Sequence, residues 1–165
     1  MEELLSKVHA ALDQRFPGEV LTAEMLYNFP VITIKPVQSH AILQFLKEDE
    51  GFNFHFLTDL TGIQTPDEKE LGVIYHLHNM PKNIRLRVKT FFPMAKPDIQ
   101  SVTDLWAGAN WMERETYDFF GVRFQGHPDL RRILNVDEMD IFPLRKEYPL
   151  EDQTRDDKSD KMFGR

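Results

Sequence analysis

Cysteine is absent from the 165 residues. That excludes disulfides and any zinc or iron–sulfur cluster held by thiolates of this chain. No stretch approaches the roughly 18–20 apolar residues that a membrane-spanning helix needs, and no internal repeat appears. The start, Met1-Glu2-Glu3, is acidic and resembles neither a secretory signal nor an Arg-rich transit peptide. A basic excess is missing too. Lys and Arg total 20 against 27 Asp and Glu, a net charge of -7, whereas a free nucleic-acid binder leans basic. These absences point to a soluble, cytosol-side protein with no nucleic-acid partner. Apolar residues are plentiful: 41% of the chain, with thirteen phenylalanines, beside ten prolines. That suffices for a single sizeable core.

Hydrophobic spacing places the elements. Leu4, Leu5, Val8 and Leu12 share one face of a helix over 2–16, stopped by Pro17-Gly18. Val31–Ile34 predicts a short buried strand. Ser39 is expected to cap a second helix that Gly51 ends. Phe52–Leu57 alternates as a strand would. Leu71–His78 and Ile84–Phe91 read as two strands of a hairpin turned by residues 79–83. In the second of them Ile84, Leu86 and Val88 point one way, and Arg85, Arg87 and Lys89 the other. Residues 101–120 predict two short helices, the second starting at Trp111 after a capping-box-like Asn110/Glu113 pair and ending at Gly121. The expected class is α+β, a mixed or antiparallel sheet with flanking helices. Past residue 125 the periodicity fails while apolar residues continue, and 151–165 is mostly charged or polar. The expected division is a globular domain over 1–125 and an extended, partner-docking C-terminal arm over 126–165, its last part mobile in the lone chain.

The densest chemistry lies between Glu113 and Leu134. Arg114 and Asp118 are four apart, Glu115 and Asp118 three apart, so they share a helix side. Two close carboxylates could do acid–base work. A structural ion-pair network of Glu113, Glu115 and Asp118 centred on Arg114 is the favoured expectation, because such networks also gather charge. His127 and Asp129 could ligate a metal, although Pro128 stiffens the link between them. His76 and His78 lie two apart on a strand and fit a metal pair, but Arg85 and Arg87 would share their face and oppose a cation. Hydrogen-bonding or interface histidines are favoured at all three positions. Arg131-Arg132 and Arg145-Lys146 suit partner contacts, since arginine holds carboxylates with two parallel hydrogen bonds. The aromatics Trp106, Trp111, Tyr117, Phe119 and Phe120 are favoured as packing groups over a stacking platform.

These residues carry a resemblance. Glu113-Arg114-Glu115, then Asp118, Phe119-Phe120, His127, Arg131 and Ile133-Leu134 resemble the signature of the 30 kDa-subunit family of the proton-pumping NADH:quinone oxidoreductase, respiratory complex I. Residues 101–106, 127–134 and 143–150 look like segments of the same family, and 56–62 does so more weakly. Phe142 departs from it, standing where relatives often carry histidine. Glu147 departs too, where they often carry aspartate. The resemblance implies a non-catalytic structural subunit of the peripheral arm. It implies no cofactor in this chain, with FMN and the iron–sulfur clusters in partner subunits. The implied chief partner is the D component of complex I, the subunit that helps form the quinone cavity. Cluster-bearing subunits lie nearby, and membrane contact is only indirect. The form looks unfused and bacterial, at the cytoplasmic face of the inner membrane. His127, Asp129, Arg131, Arg132, Arg145, Lys146 and Tyr148 are the expected partner contacts. The alternatives are an equivalent scaffold in a related membrane-bound hydrogenase or quinone reductase, and a stand-alone metal-dependent hydrolase using Glu115, Asp118 and His127.

Overall fold

The computed structural model describes residues 1–148. The charged stretch over 151–165, and the mobility expected of it, lie outside the described residues. In chain order the elements are α1 (Glu2–Arg15), β1 (Val20–Leu26), β2 (Phe29–Ile34), α2 (Ser39–Glu48), β3 (Phe56–Gln64), β4 (Glu70–Asn79) and β5 (Ile84–Pro93). β6 (Asp98–Gln100), α3 (Ala109–Phe120) and β7 (Arg123–Gln125) follow. Five strands form one sheet in the order β1-β2-β5-β4-β3. β2 and β5 run parallel and the other neighbours antiparallel, so the sheet is mixed. A parallel pair, β6 and β7, stands apart. The class is α+β, as the periodicity predicts.

One hydrophobic face explains the architecture. Leu5, Val8 and Leu12 of α1 and Ile42, Leu43 and Leu46 of α2 share a core with Leu71, Val73, Tyr75, Leu77, Leu86 and Val88 of the sheet. These strand positions alternate, so one pleat is covered and the other faces outward. α3 packs over β3 at Gly62. A Cβ there would fall 2.6 Å from the Phe120 ring and 3.0 Å from the Thr116 methyl. The missing side chain therefore sets how closely this helix approaches the sheet.

Several local expectations are corrected. Residues 52–55 are not a strand. Asn53 adopts a left-handed φ of 43°, Phe52 and Phe54 turn into the core from an irregular loop, and β3 begins at Phe56. Ser39 does not cap α2. Its hydroxyl donates to the Pro36 carbonyl at 2.9 Å, and the cap position is Gln38. Residues 102–108 form turns, followed by a single helix starting at Ala109. The Asn110/Glu113 box fails because Glu113 turns to Ser101 and Val102, ahead of the helix. β1 shows no period-two alternation because none of its side chains is fully buried. Its turn residues, Tyr27 and Asn28, take φ of 51° and 63° without the glycine that usually announces such a turn.

Beyond β7 the described chain, through Tyr148, forms no helix or strand. It does not stand away from the domain over that length. Side chains of the domain hold it at several points.

Candidate functional site

Helix α3 supplies the anchors, and they are arranged differently from a network centred on Arg114. Glu113 is fully buried and faces the turn before the helix. Its carboxylate accepts from the Ser101 hydroxyl and the Val102 amide, both at 2.7 Å. Burial pushes its pKa up to about 7, although those two donors pull the other way. The Tyr75 hydroxyl is buried with no hydrogen-bond partner. Burial, helped by the Glu113 charge, raises that phenol well above its ordinary value.

Asp118, also fully buried, faces the segment after β7. One oxygen accepts from the amides of Ile133, Leu134 and Asn135 at 3.1, 2.8 and 2.9 Å. The other accepts from Arg132 at 2.7 Å. Burial alone would raise this carboxyl. The amides of Asn135 and Leu134 and the Arg132 guanidinium outweigh it and hold the group well below the usual carboxylate range.

Arg132, with 7% of its side chain exposed, is the hub of the segment. It donates to the carbonyls of Asp118 at 2.9 Å, Met139 at 2.6 Å and Ile141 at 2.9 Å. Arg114 pairs with no carboxylate of α3. It donates to the carbonyls of Arg131 and Arg132 at 3.2 and 3.1 Å and lies 5.3 Å from the Trp111 ring. Glu115 faces solvent. The expected four-residue network is thus corrected: Asp118 takes its cation from Arg132, 14 residues on, while Glu113 and Arg114 are satisfied by the Ser101 hydroxyl and by backbone groups.

The remaining candidates mostly fasten the same segment. His127 accepts the Asp129 amide at Nδ1 (3.0 Å), so its Nε2–H donates to the Asn110 carbonyl (3.1 Å). Asp129 and Arg131 pair at 2.9 Å in the open. Arg145 donates to the Phe120 carbonyl at 2.7 Å. The Lys146 amide donates to the Gln64 side chain at 2.7 Å, and its ammonium to the Thr65 carbonyl at 3.2 Å. Tyr148 is half-buried, its amide donating to the Arg145 carbonyl at 3.0 Å. Phe142 receives both Arg132, at 5.2 Å, and Arg145, at 4.6 Å, against its ring. Cation–π contacts from two sides therefore hold the Phe142 ring.

The aromatic residues do not converge. Trp106 is buried and donates to the His55 carbonyl at 3.2 Å, whereas Trp111 is 60% exposed. Sequence reading missed Ser101 and Gln64, whose roles depend on contacts 12 and 82 residues away. No short-range pattern marks them.

With this geometry in view, comparison with known proteins is decisive. Residues 32–154 match the family model described as the 30 kDa subunit of the respiratory-chain NADH dehydrogenase. The chain belongs to this family. The C component of the NADH-quinone oxidoreductase of Geobacter metallireducens is 39% identical over 147 residues, covering 88% of this chain and 90% of that protein. The corresponding protein of Moorella thermoacetica is 40% identical over 124 residues, covering 75% and 82%. Among solved structures, a trypsin-resistant fragment of Nqo5 aligns with a TM-score of 0.63 at 27% identity, over 78% of this chain and 98% of that one. A chain of an archaeal respiratory membrane complex, the membrane-bound sulfane sulfur reductase, aligns with a TM-score of 0.74 at 25% identity, over 90% and 85%. The resemblance read from Glu113 to Leu134 is borne out: the chain is a 30 kDa-type subunit of the complex I family. No helix among the described residues is long and apolar enough to cross a membrane.

Proposed function

We propose that this subunit is a non-catalytic scaffold in the peripheral arm of NADH:quinone oxidoreductase. Its task is to present a shaped edge to its neighbours. The quinone-cavity subunit is the chief partner, and cluster-bearing subunits lie nearby. FMN and the iron–sulfur clusters belong to those partners, and the site of action is the cytoplasmic face of a bacterial inner membrane. One observation carries this reading: Asp118 commits its buried charge to three consecutive backbone amides and Arg132. A fully buried carboxylate so engaged fixes a loop and lies out of reach of a substrate or metal. That also disfavours the hydrolase alternative, since His127 is committed to Asn110 and Glu115 faces solvent.

The fixed loop displays apolar side chains. Leu134 is 65% exposed and Val136 63%. Held apolar groups of this kind suit burial against another subunit. Arg131, Arg145, Lys146 and Tyr148 flank them as the polar contacts of that interface. The archaeal neighbour supports a second reading, an equivalent scaffold in a related respiratory complex. Mild detergent extraction, capture on this chain and mass identification of the companions test both. The quinone-cavity subunit and NADH-oxidising subunits are expected, and Leu134→Asp with Val136→Asp should reduce their recovery. Companions that are hydrogenase subunits would favour the second reading. No companions at all would refute the scaffold role.

A further inference from the structure

The outward pleat of the sheet carries a different chemistry from the covered one. On β5, Arg85, Arg87 and Lys89 alternate with the core residues Leu86 and Val88. Residues two apart along a strand lie about 7 Å apart on one face. Register sets His78 beside Arg85 and His76 beside Arg87. Across the parallel junction Val31 stands beside Arg87. It is fully buried yet lies outside the core cluster, so the outward face shelters apolar surface of its own.

None of the ion pairs among the described residues involves these three cations. Arg87 stacks 5.1 Å from the Phe29 ring. Its Nε and the Nε2 of His78 are buried and lack partners. Burial, then the Arg87 charge, pushes the His76 pKa down against the opposing charge of Asp59. Around the basic row sit apolar groups. Phe56, beside His78, and Ile63, beside Gly72, are 44% and 37% exposed. The Phe91 ring lies across Gly72, where a Cβ would meet it at 2.6 Å.

We infer that this uncovered sheet face is a second docking surface, for an acidic patch of a neighbouring subunit whose carboxylates pair with Arg85, Arg87 and Lys89. Three cations with no paired carboxylate among the described residues run against the chain's net charge of -7. Arg87 and Lys89 are half-buried, so they are partly stripped of water before any partner arrives, which strengthens a pairing. Guanidinium groups hold a carboxylate through two parallel hydrogen bonds. Phosphate surfaces are the weaker match, because the exposed apolar Phe56 and Ile63 beside the row suit a protein surface. The inference rests on membership of a multisubunit enzyme and does not depend on the loop after α3.

The test uses the intact complex captured on this chain. A water-soluble carbodiimide joins an amine to a carboxylate in contact with it, forming an amide while the reagent takes up the lost water as a urea. Lys89 should couple to an aspartate or glutamate of another subunit, and Arg85→Lys should add a second link to the same patch. Arg85→Glu with Lys89→Glu should lower retention of the chain in the complex roughly tenfold or more, whereas Arg85→Lys alone should preserve it. Lys89 coupled only within its own chain, coupled to lipid headgroups, or not coupled at all would overturn the inference. So would full retention of the charge-reversed chain. Capture of the usual companions with Lys89 still uncoupled would reject this surface and leave the scaffold role standing.

Discussion

The Asp118 carboxylate and the Arg132 guanidinium meet at 2.7 Å across 14 residues of chain, with 0% and 7% of their side chains exposed. Around them α3 and the segment after β7 become one unit. Removing the carboxylate leaves a buried cation and three amides without their acceptor. Asp118→Ala should cost about 3–5 kcal/mol. Asp118→Asn keeps one acceptor oxygen and should cost about 2 kcal/mol. Urea unfolding measures both, and amide exchange at 133–135 should accelerate first, because these amides lose their partner directly.

Glu113 predicts a pH dependence of opposite sign to that of Asp118. Its folded pKa of about 7 lies above the ordinary 4.5. The folded state therefore holds a proton that the unfolded chain releases. The contribution is fully present below pH 4.5 and is lost as pH rises through 7, a change of about 3 kcal/mol. Asp118 has a depressed folded pKa, so its contribution is present above the ordinary carboxylate value near 4 and is lost only as pH falls well below it. Glu113→Gln can donate to Ser101 and accept from Val102 as the protonated acid does. It should flatten the decline between pH 4.5 and 8, as measured by thermal unfolding across that range.

Gly121 ends α3 with a φ of 76°, and a Cβ there would meet Phe142 and Arg145 at 2.6 Å. Gly121→Ala combines left-handed backbone strain with displacement of that arginine-clasped ring. A loss of roughly 2 kcal/mol or more is expected. Amides near residues 142–146 should exchange faster, while those of β4 and β5 should hardly change. Uniform acceleration throughout the domain would mean the ring is not a local fastener.

Much of this arrangement was legible in the chain. Period-two alternation placed β4 and β5 within one or two residues and put Arg85, Arg87 and Lys89 on their own face. The amphipathic stripe gave α1, and the stop at Gly121 held. The site was legible in its membership more than in its wiring. Spacing on a helix placed Arg114, Glu115 and Asp118 on one side, but it could not show that Asp118 would reach amides of Ile133, Leu134 and Asn135. Those contacts depend on how the chain returns after β7. Phe52–Leu57 misled because aromatics at alternate positions suit a strand and also an irregular loop that pins two rings into a core.

In the proposed scaffold role, the buried charges of α3 shape the segment through Tyr148 and take no part in chemistry. The sharpest test is assembly and turnover of the whole enzyme, measured together for Asp118→Asn and Arg132→Gln. Fewer assembled complexes are predicted, with NADH:quinone turnover per assembled complex unchanged. Normal assembly with turnover per complex reduced a hundredfold would contradict the role.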